Sequence, residues 1–301
     1  MSKKVTFPCM GTTFRVEASN ALAVESWLYK VEKNYSRFRE ESELSQVNQL
    51  EISEEWVPIS QEFYDILHLA EGYRLSTDSF FNPYLGEQLG ALGYDKTFSD
   101  LSKSGFEQKI INKPLKESPL LFHSEKAMIK KKKDVSIDLG GFVKGWSVDE
   151  VYCMTKGKER FIDGGGDLRF SFEKPIVIGV INPFRFDTDV VRLRMSTGAM
   201  ATSSVAHRRW QTTDGEVHHL LNGRTGKNSV SDVVQVTVLG ANVREAEVYA
   251  KVLCMMDVAS AENWIADKKL TIAAILITKN QRIVMTKNIK DYCEGVETAW
   301  S

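Results

Sequence analysis

The chain has 301 residues and a mass of 34.0 kDa; at 43% hydrophobic and 26% charged it is no disordered segment and has ample material for a core. Lys plus Arg is 39 and Asp plus Glu is 40, a net charge of −1, so no bulk positive charge points to a nucleic-acid partner. No apolar run is long enough to cross a bilayer, so membrane insertion is not expected.

The N-terminus carries Lys3 and Lys4 with no apolar stretch behind them, which argues against a secretory signal. Cys9 lacks the apolar lead-in of a lipid-anchor cysteine and reads as a small buried thiol. Cys9, Cys153, Cys254 and Cys293 are far apart and form no CxxC, so neither zinc nor a disulfide framework is expected. Reduced thiols in a cytoplasmic protein are the expectation.

Val5 to Glu17 alternates like an early strand. Asn20 is a candidate N-cap for a helix carrying Ala23, Trp27, Leu28 and Val31 on one face, and Ser60 for a second with Phe63, Ile66, Leu67 and Ala70. Gly93 to Lys133 is mixed and polar, broken by Gly105, Pro114 and Pro119. Within it Lys126 and Lys130 to Lys133 form a basic run, read as a solvated turn in preference to a nucleic-acid or membrane patch. Ile176 to Ile181 reads as a buried strand, and Val233 to Leu239 as an alternating one. Val243–Met256 and Ala259–Lys268 fit helices, and Thr271–Thr278 with Arg282–Lys287 suggests a closing hairpin about residues 279–281. Strands and helices interleave without a βαβ period. That predicts α+β, with mixed or antiparallel sheets and packed helices. Residues 1–301 are taken as one domain, or two tightly packed lobes.

Five segments carry candidate chemistry. Ser136–Val151 ends a strand-like piece at Gly140-Gly141 and then starts a helix, a geometry suited to phosphate. Lys144 sits in the first helical turn, where a cation opposes the helix dipole and needs a reason such as a bound anion. In Asp163–Leu168 (DGGGDL) successive glycine N–H groups can converge on an anion such as a diphosphate; a purely structural turn is equally compatible. Ser196–Gln211 supplies Thr202, Ser203, Ser204 and the pair Arg208-Arg209. His218 and His219 are neighbours, so on a strand only one can face a given site. In Arg244–Met256, Glu247 and Lys251 stand four apart, in the orientation of a helical ion pair. Their apolar neighbours suggest a largely buried helix, in which a charged pair needs a reason beyond stability.

In order along nearly the whole chain, these segments resemble the ApbE family of FAD:protein FMN transferases. The likeness begins at Phe7-Pro8-Cys9-Met10-Gly11-Thr12 and runs through Tyr35-Ser36-Arg37-Phe38, Ser42-Glu43-Leu44 to Asn48, Phe81-Asn82-Pro83 and Leu92-Gly93-Tyr94. It continues through Asp138-Leu139-Gly140-Gly141 with Lys144-Gly145 and Asp149, then Gly165-Gly166-Asp167, Ala201-Thr202-Ser203, and His219 with Arg224-Thr225-Gly226. Each motif is weak alone; their joint order is specific.

The resemblance implies an α+β fold that binds FAD, Mg²⁺ on the diphosphate, and transfer of FMN to a Thr or Ser hydroxyl of an acceptor protein with release of AMP. It places Met10, Asn48 and Tyr94 around the flavin or adenine. Asp138, Lys144, Asp149, Gly165, Gly166, Asp167, Thr202 and Ser203 fall to the cofactor groove, and His219 to the reacting phosphate. The metal would take the Val143 carbonyl and the positions held by Glu247 and Lys251. Here the chain departs from the family's "ADxxxT" helix. Glu247 remains a hard oxygen ligand, but the Lys251 ammonium has donors only and cannot ligate Mg²⁺. Asn222 and Asn82 also replace two of the family's aspartates. Together with Arg208-Arg209-Trp210, Ala246-Glu247 and Ala250-Lys251 resemble a variant branch of the family. Two readings follow: Lys251 replaces part of the metal's charge and Mg²⁺ is held loosely at Glu247, or the metal is lost and FAD is bound without transfer. An FAD pyrophosphatase, giving FMN and AMP, is a third outcome.

Overall fold

The computed structural model describes residues 3–94, 117–206, 208–212 and 215–299. In chain order they form β1 (Lys3–Cys9), β2 (Thr12–Ala18), α1 (Ala21–Tyr35), α2 (Glu43–Asn48), β3 (Val57–Pro58), α3 (Gln61–Ser76) and α4 (Gly86–Ala91). There follow β4 (Leu120–Phe122), β5 (Met128–Lys131), α5 (Val143–Met154), β6 (Arg160–Gly164), β7 (Leu168–Asn182) and β8 (Arg185–Ser204). The chain continues with β9 (Arg209–Thr212), β10 (Gly215–His218), β11 (Leu221–Asn222), β12 (Lys227–Asn228), β13 (Val233–Gly240), α6 (Val243–Cys254), α7 (Val258–Asp267), β14 (Ala273–Thr278), β15 (Ile283–Met285) and β16 (Gly295–Thr298). The class is α+β.

Two compact units emerge. The first comprises residues 1–29, 144–208 and 230–301, the second residues 30–143 and 209–229. The first is built on a nine-stranded sheet in the order β1-β2-β6-β7-β8-β13-β14-β15, with β16 paired to β8. Its pairings are antiparallel throughout. Helix α6 packs on β8 and β13. The second unit holds the three-stranded sheet β3-β5-β4, the small ladders β9–β10 and β11–β12, and helices α2 to α4. No helix among the described residues is long and apolar enough to cross a membrane.

Several local readings hold. Ser60 caps α3 by accepting the Phe63 N–H at 3.2 Å, and Phe63, Ile66, Leu67 and Ala70 are buried. β14 and β15 close as a hairpin, with Gln281 left-handed in its turn.

Others change. Val5–Glu17 is not one strand but the hairpin β1–β2, turning through Met10 (φ 52°) and Gly11 (φ 67°). Positive φ at both central residues is the twist-matched two-residue turn that favours glycine second. Asn20 does precede α1, but its amide donates to the Met154 carbonyl at 3.1 Å instead of capping. The buried face of α1 is Ala21, Val24, Leu28, Val31 and Tyr35, and Ala23 is exposed. The second half of β7 pairs only with β8, so Val177 and Ile181 are exposed while Ile178 and Val180 are buried. β13 is buried on both faces, because it runs between β8 and β14 and beneath α6.

Of the basic run, Lys126 is exposed in a bend, but the rest is not a solvated turn. Lys130 and Lys131 belong to β5, the middle strand of its sheet. Lys131 is buried and donates to the Asn48 carbonyl at 2.9 Å, while Lys130 lies over the Trp56 ring and pairs, as Lys132 does, with Glu54. The breakers Gly105 and Pro114 lie outside the described residues.

Candidate functional site

The chemistry in the first unit gathers where α5, α6 and the β6–β7 turn meet. Helix α6 is pinned at its start: Asn242 accepts the Glu245 N–H at 2.9 Å, and the two carboxylate oxygens of Asp149 accept the Val243 and Arg244 N–H groups at 3.0 Å each. Three of the helix's four orphan N-terminal donors are thereby satisfied, two of them by a carboxylate the dipole favours. Arg169 bonds the same carboxylate. Asp149, assigned by resemblance to the cofactor groove, is thus engaged in anchoring α6.

That anchor sets the phase of the helix and aims Glu247 and Lys251 at α5. The close approach there requires glycine: a Cβ on Gly145 would stand 2.8 Å from Glu247 Oε2 and 2.9 Å from the Val243 carbonyl. The Gly145 N–H donates to Glu247 Oε2 at 2.8 Å, while Oε1 receives Lys144 at 3.2 Å and Lys251 at 2.9 Å. Lys144 also bonds Asp167, at the end of the DGGGDL turn. The lysine placed against the helix dipole therefore answers to two carboxylates of its own chain.

The charges are mutually dependent. Burial alone would push the Glu247 carboxyl up; Lys144, Lys251 and the Gly145 N–H outweigh it and hold its pKa at about 2. Burial would depress Lys144, but Asp167 and Glu247 hold its ammonium well above the ordinary value. Burial raises the Asp167 carboxyl, against the pull of Lys144. Lys251 is pushed down by burial and by the like charge of Lys144, with Glu247 opposing. The Arg208 guanidinium also acts on Lys144 as a like charge. Arg208 belongs to the candidate segment Ser196–Gln211, though the resemblance assigns it no site role; its position just beyond the Thr202–Ser204 strand is the signal that places it here.

These residues do not fit a divalent ion at Glu247. Mg²⁺ wants near-octahedral hard oxygens at about 2.0–2.1 Å. One oxygen of Glu247 is taken by two ammonium groups and the other by an amide N–H. A divalent charge about 4 Å from one ammonium would meet roughly 8 kcal/mol of repulsion at an effective dielectric of 20. Among the described residues no cluster of three or more His, Cys, Asp or Glu could hold a metal.

The glycine turn has its own anion as well. Gly165 (φ 78°) and Gly166 (φ 97°) both direct their N–H groups at Asp163 Oδ1, at 2.8 Å, so the nest closes on a carboxylate of the same chain. A Cβ on Gly165 would fall 1.9 Å from Thr12 Oγ1. Nearby in the sheet register, Thr202 shares a 2.8 Å hydrogen bond with Thr237, and Ser203 is buried opposite Val236. Met10 sits in its hairpin turn, with its sulfur 3.8 Å from Ser147 Oγ.

The other candidates lie in the second unit. Asn48 exchanges hydrogen bonds with the Ile137 backbone, at 3.0 and 2.7 Å. Asp138 pairs with Arg37, whose guanidinium also donates to the Tyr94 carbonyl and lies over the Phe38 and Tyr94 rings. Tyr94 stacks on Trp210 with centroids 5.6 Å apart, and the Trp210 indole donates to the Leu92 carbonyl at 2.6 Å. This platform of Arg37, Phe38, Tyr94 and Trp210 joins residues far apart in sequence; all four lie in the motifs, but the resemblance gives a site role to Tyr94 alone. Val143 opens α5, and half-buried His219 follows β10. His218 is held by Asn228, 3.2 Å from its Nδ1; burial first, then the Arg209 charge, lowers its pKa to about 4.

The ApbE family model matches residues 10–276. An FAD:protein FMN transferase of Chlamydia pneumoniae is 28% identical over 263 residues, covering 82% of this chain and 80% of that protein. One from Klebsiella pneumoniae (strain 342) is 22% identical over 274 residues, covering 88% and 85%. Among solved structures, the ApbE protein of Thermotoga maritima superposes with a TM-score of 0.81 at 21% identity, over 97% of this chain and 99% of that one.

Proposed function

The chain belongs to the ApbE family, and from that premise we propose that it transfers FMN from FAD to a Thr or Ser hydroxyl of an acceptor protein. In this reaction the acceptor oxygen attacks the phosphorus of the FMN half. A new P–O bond forms, the diphosphate P–O bond breaks, and AMP departs with the bridging oxygen. The acceptor hydroxyl gives up its proton as it attacks.

One observation carries the reading. The interior of the first unit holds Lys144 and Lys251 fixed against two carboxylates, Asp167 and Glu247, with the Arg208 charge acting on Lys144 as well. Phosphoryl transfer asks a protein mainly for positioning and for charge where negative charge develops, and preorganised cations supply the second. The naming of both curated relatives as FAD:protein FMN transferases supports the choice of substrate. His219 is proposed as the group that receives the hydroxyl proton or contacts the phosphate, on its match to the family motif. The aromatic platform around Tyr94 is proposed to hold a ring of the dinucleotide, since ring stacking suits planar heterocycles. No step is assigned to a metal, because the donor set at Glu247 does not fit one.

The test is incubation with FAD and a flavin-accepting protein domain, with and without Mg²⁺. Covalent flavin fluorescence on the acceptor, with one AMP released per flavin attached, is the expected result. No covalent flavin across several acceptors would overturn the proposal. Free FMN with AMP in the absence of acceptor would make water the acceptor, and FAD uptake without AMP would leave a binding protein.

A further inference from the structure

We propose that the Lys251 ammonium occupies the place of a divalent cation in this chain, so that FAD is bound through its diphosphate and cleaved without any divalent metal. The inference rests on the flavin-transferase reading and deepens it.

The ordering of the network carries the argument. Its carboxylates are innermost: the Glu247 side chain is 1% exposed and that of Asp167 3%. The lysine side chains lie further out, at 15% for Lys144 and 13% for Lys251. A ligand arriving from solvent therefore meets the lysine side chains before it meets carboxylate oxygens. Hydrogen bonds of the described residues engage two of the three donors of Lys144 and one of the three of Lys251. Donors remain for an oxyanion, whereas a metal ion would find Glu247 Oε1 already held by two ammonium groups and Oε2 by the Gly145 N–H. Among the described residues the two ammonium groups face two carboxylates, and the Arg208 guanidinium adds a like charge that acts on Lys144.

Geometry makes Lys251 a fixed charge and not a mobile surface lysine. It stands one helical turn beyond Glu247, 2.9 Å from Oε1, on a helix whose first N–H groups are held by Asp149 and Asn242. Lys144 fixes the same carboxylate from α5. An ammonium so held needs no reorganisation as phosphate charge develops, and it cannot be chelated away. The bonds made and broken are those of the proposed transfer; the lysines contribute charge and hydrogen bonds and exchange no atoms.

The experiment compares the full-length protein in EDTA with the same protein in excess Mg²⁺, reading FAD affinity by flavin fluorescence and AMP release with an acceptor present. Equal affinity and equal AMP release in the two buffers support the inference. A requirement for Mg²⁺ in either readout overturns it while leaving the transferase reading intact. FAD uptake in neither buffer overturns that reading and this inference together. A second readout uses the metal alone: Mn²⁺ titrated into FAD-free protein should keep its free six-line paramagnetic spectrum, and stoichiometric loss of that signal overturns the proposal. Finally, Lys251→Met should weaken FAD binding in EDTA by at least about tenfold, as befits loss of a charged hydrogen bond, with Lys251→Arg retaining most of it. Unchanged affinity in Lys251→Met, with its melting cooperative, counts against the proposal.

Discussion

Asn82 shows how one atom decides what a position can do. Its amide accepts the Tyr84 N–H at 3.0 Å and donates to the Gly223 carbonyl at 3.0 Å. The aspartate that the resemblance expects there is an acceptor only and could not make the second bond. Asn82→Asp should therefore cost about 1 kcal/mol in urea unfolding. Asp149 carries more: Asp149→Ala strips acceptors from two helix N–H groups and leaves Arg169 unmatched, with an expected loss of about 2 kcal/mol. His218 writes a pH dependence. Its folded pKa of about 4 lies below the ordinary 6.5, so the unfolded chain binds more protons between those values. Its contribution is complete above pH 6.5 and is lost as pH falls toward 4. Unfolding midpoints of His218→Gln should fall less steeply over that window than those of the parent protein.

Elements read correctly are those whose signals are local. Ser60 and the apolar spacing of α3 lie within a few residues of each other, and both survive in the structure. Removing the cap in Ser60→Ala should cost about 1 kcal/mol, measurable by chemical denaturation, because the Phe63 N–H loses its acceptor. Alternation does not mark the β1–β2 turn at Met10-Gly11, because it continues across a two-residue turn without a break in pattern. β13 and the second half of β7 exchanged their expected characters for a different reason. A run of valines and isoleucines does not say how many neighbours a strand will have; β13 gained two and a covering helix, while the far part of β7 gained one.

Across the whole chain, thiol chemistry offers a simple check on the placement of elements. Cys153 is exposed, while Cys9, Cys254 and Cys293 are buried. Burial raises the Cys254 thiol to about 12 and raises Cys293 as well. Alkylation of native protein at neutral pH should modify one thiol per chain, mapped by mass spectrometry to Cys153, and four after denaturation. Fast labelling of more than one in native conditions would contradict the described core.

Composition, caps, hairpin punctuation and the order of short motifs were enough to establish an α+β chain and its family. Each of those signals is complete within a short window, or depends only on sequence order. The charged core is of another kind. Lys144 meets Asp167 across 23 residues and Glu247 across 103, and Asp149 reaches the start of α6 across 94. No local periodicity marks such pairings, because they exist only once α5, α6 and the glycine turn are packed together. The sequence made Lys144 and Lys251 candidates for meeting an anion; packing decided that both would share Glu247, and so closed that carboxylate to a metal.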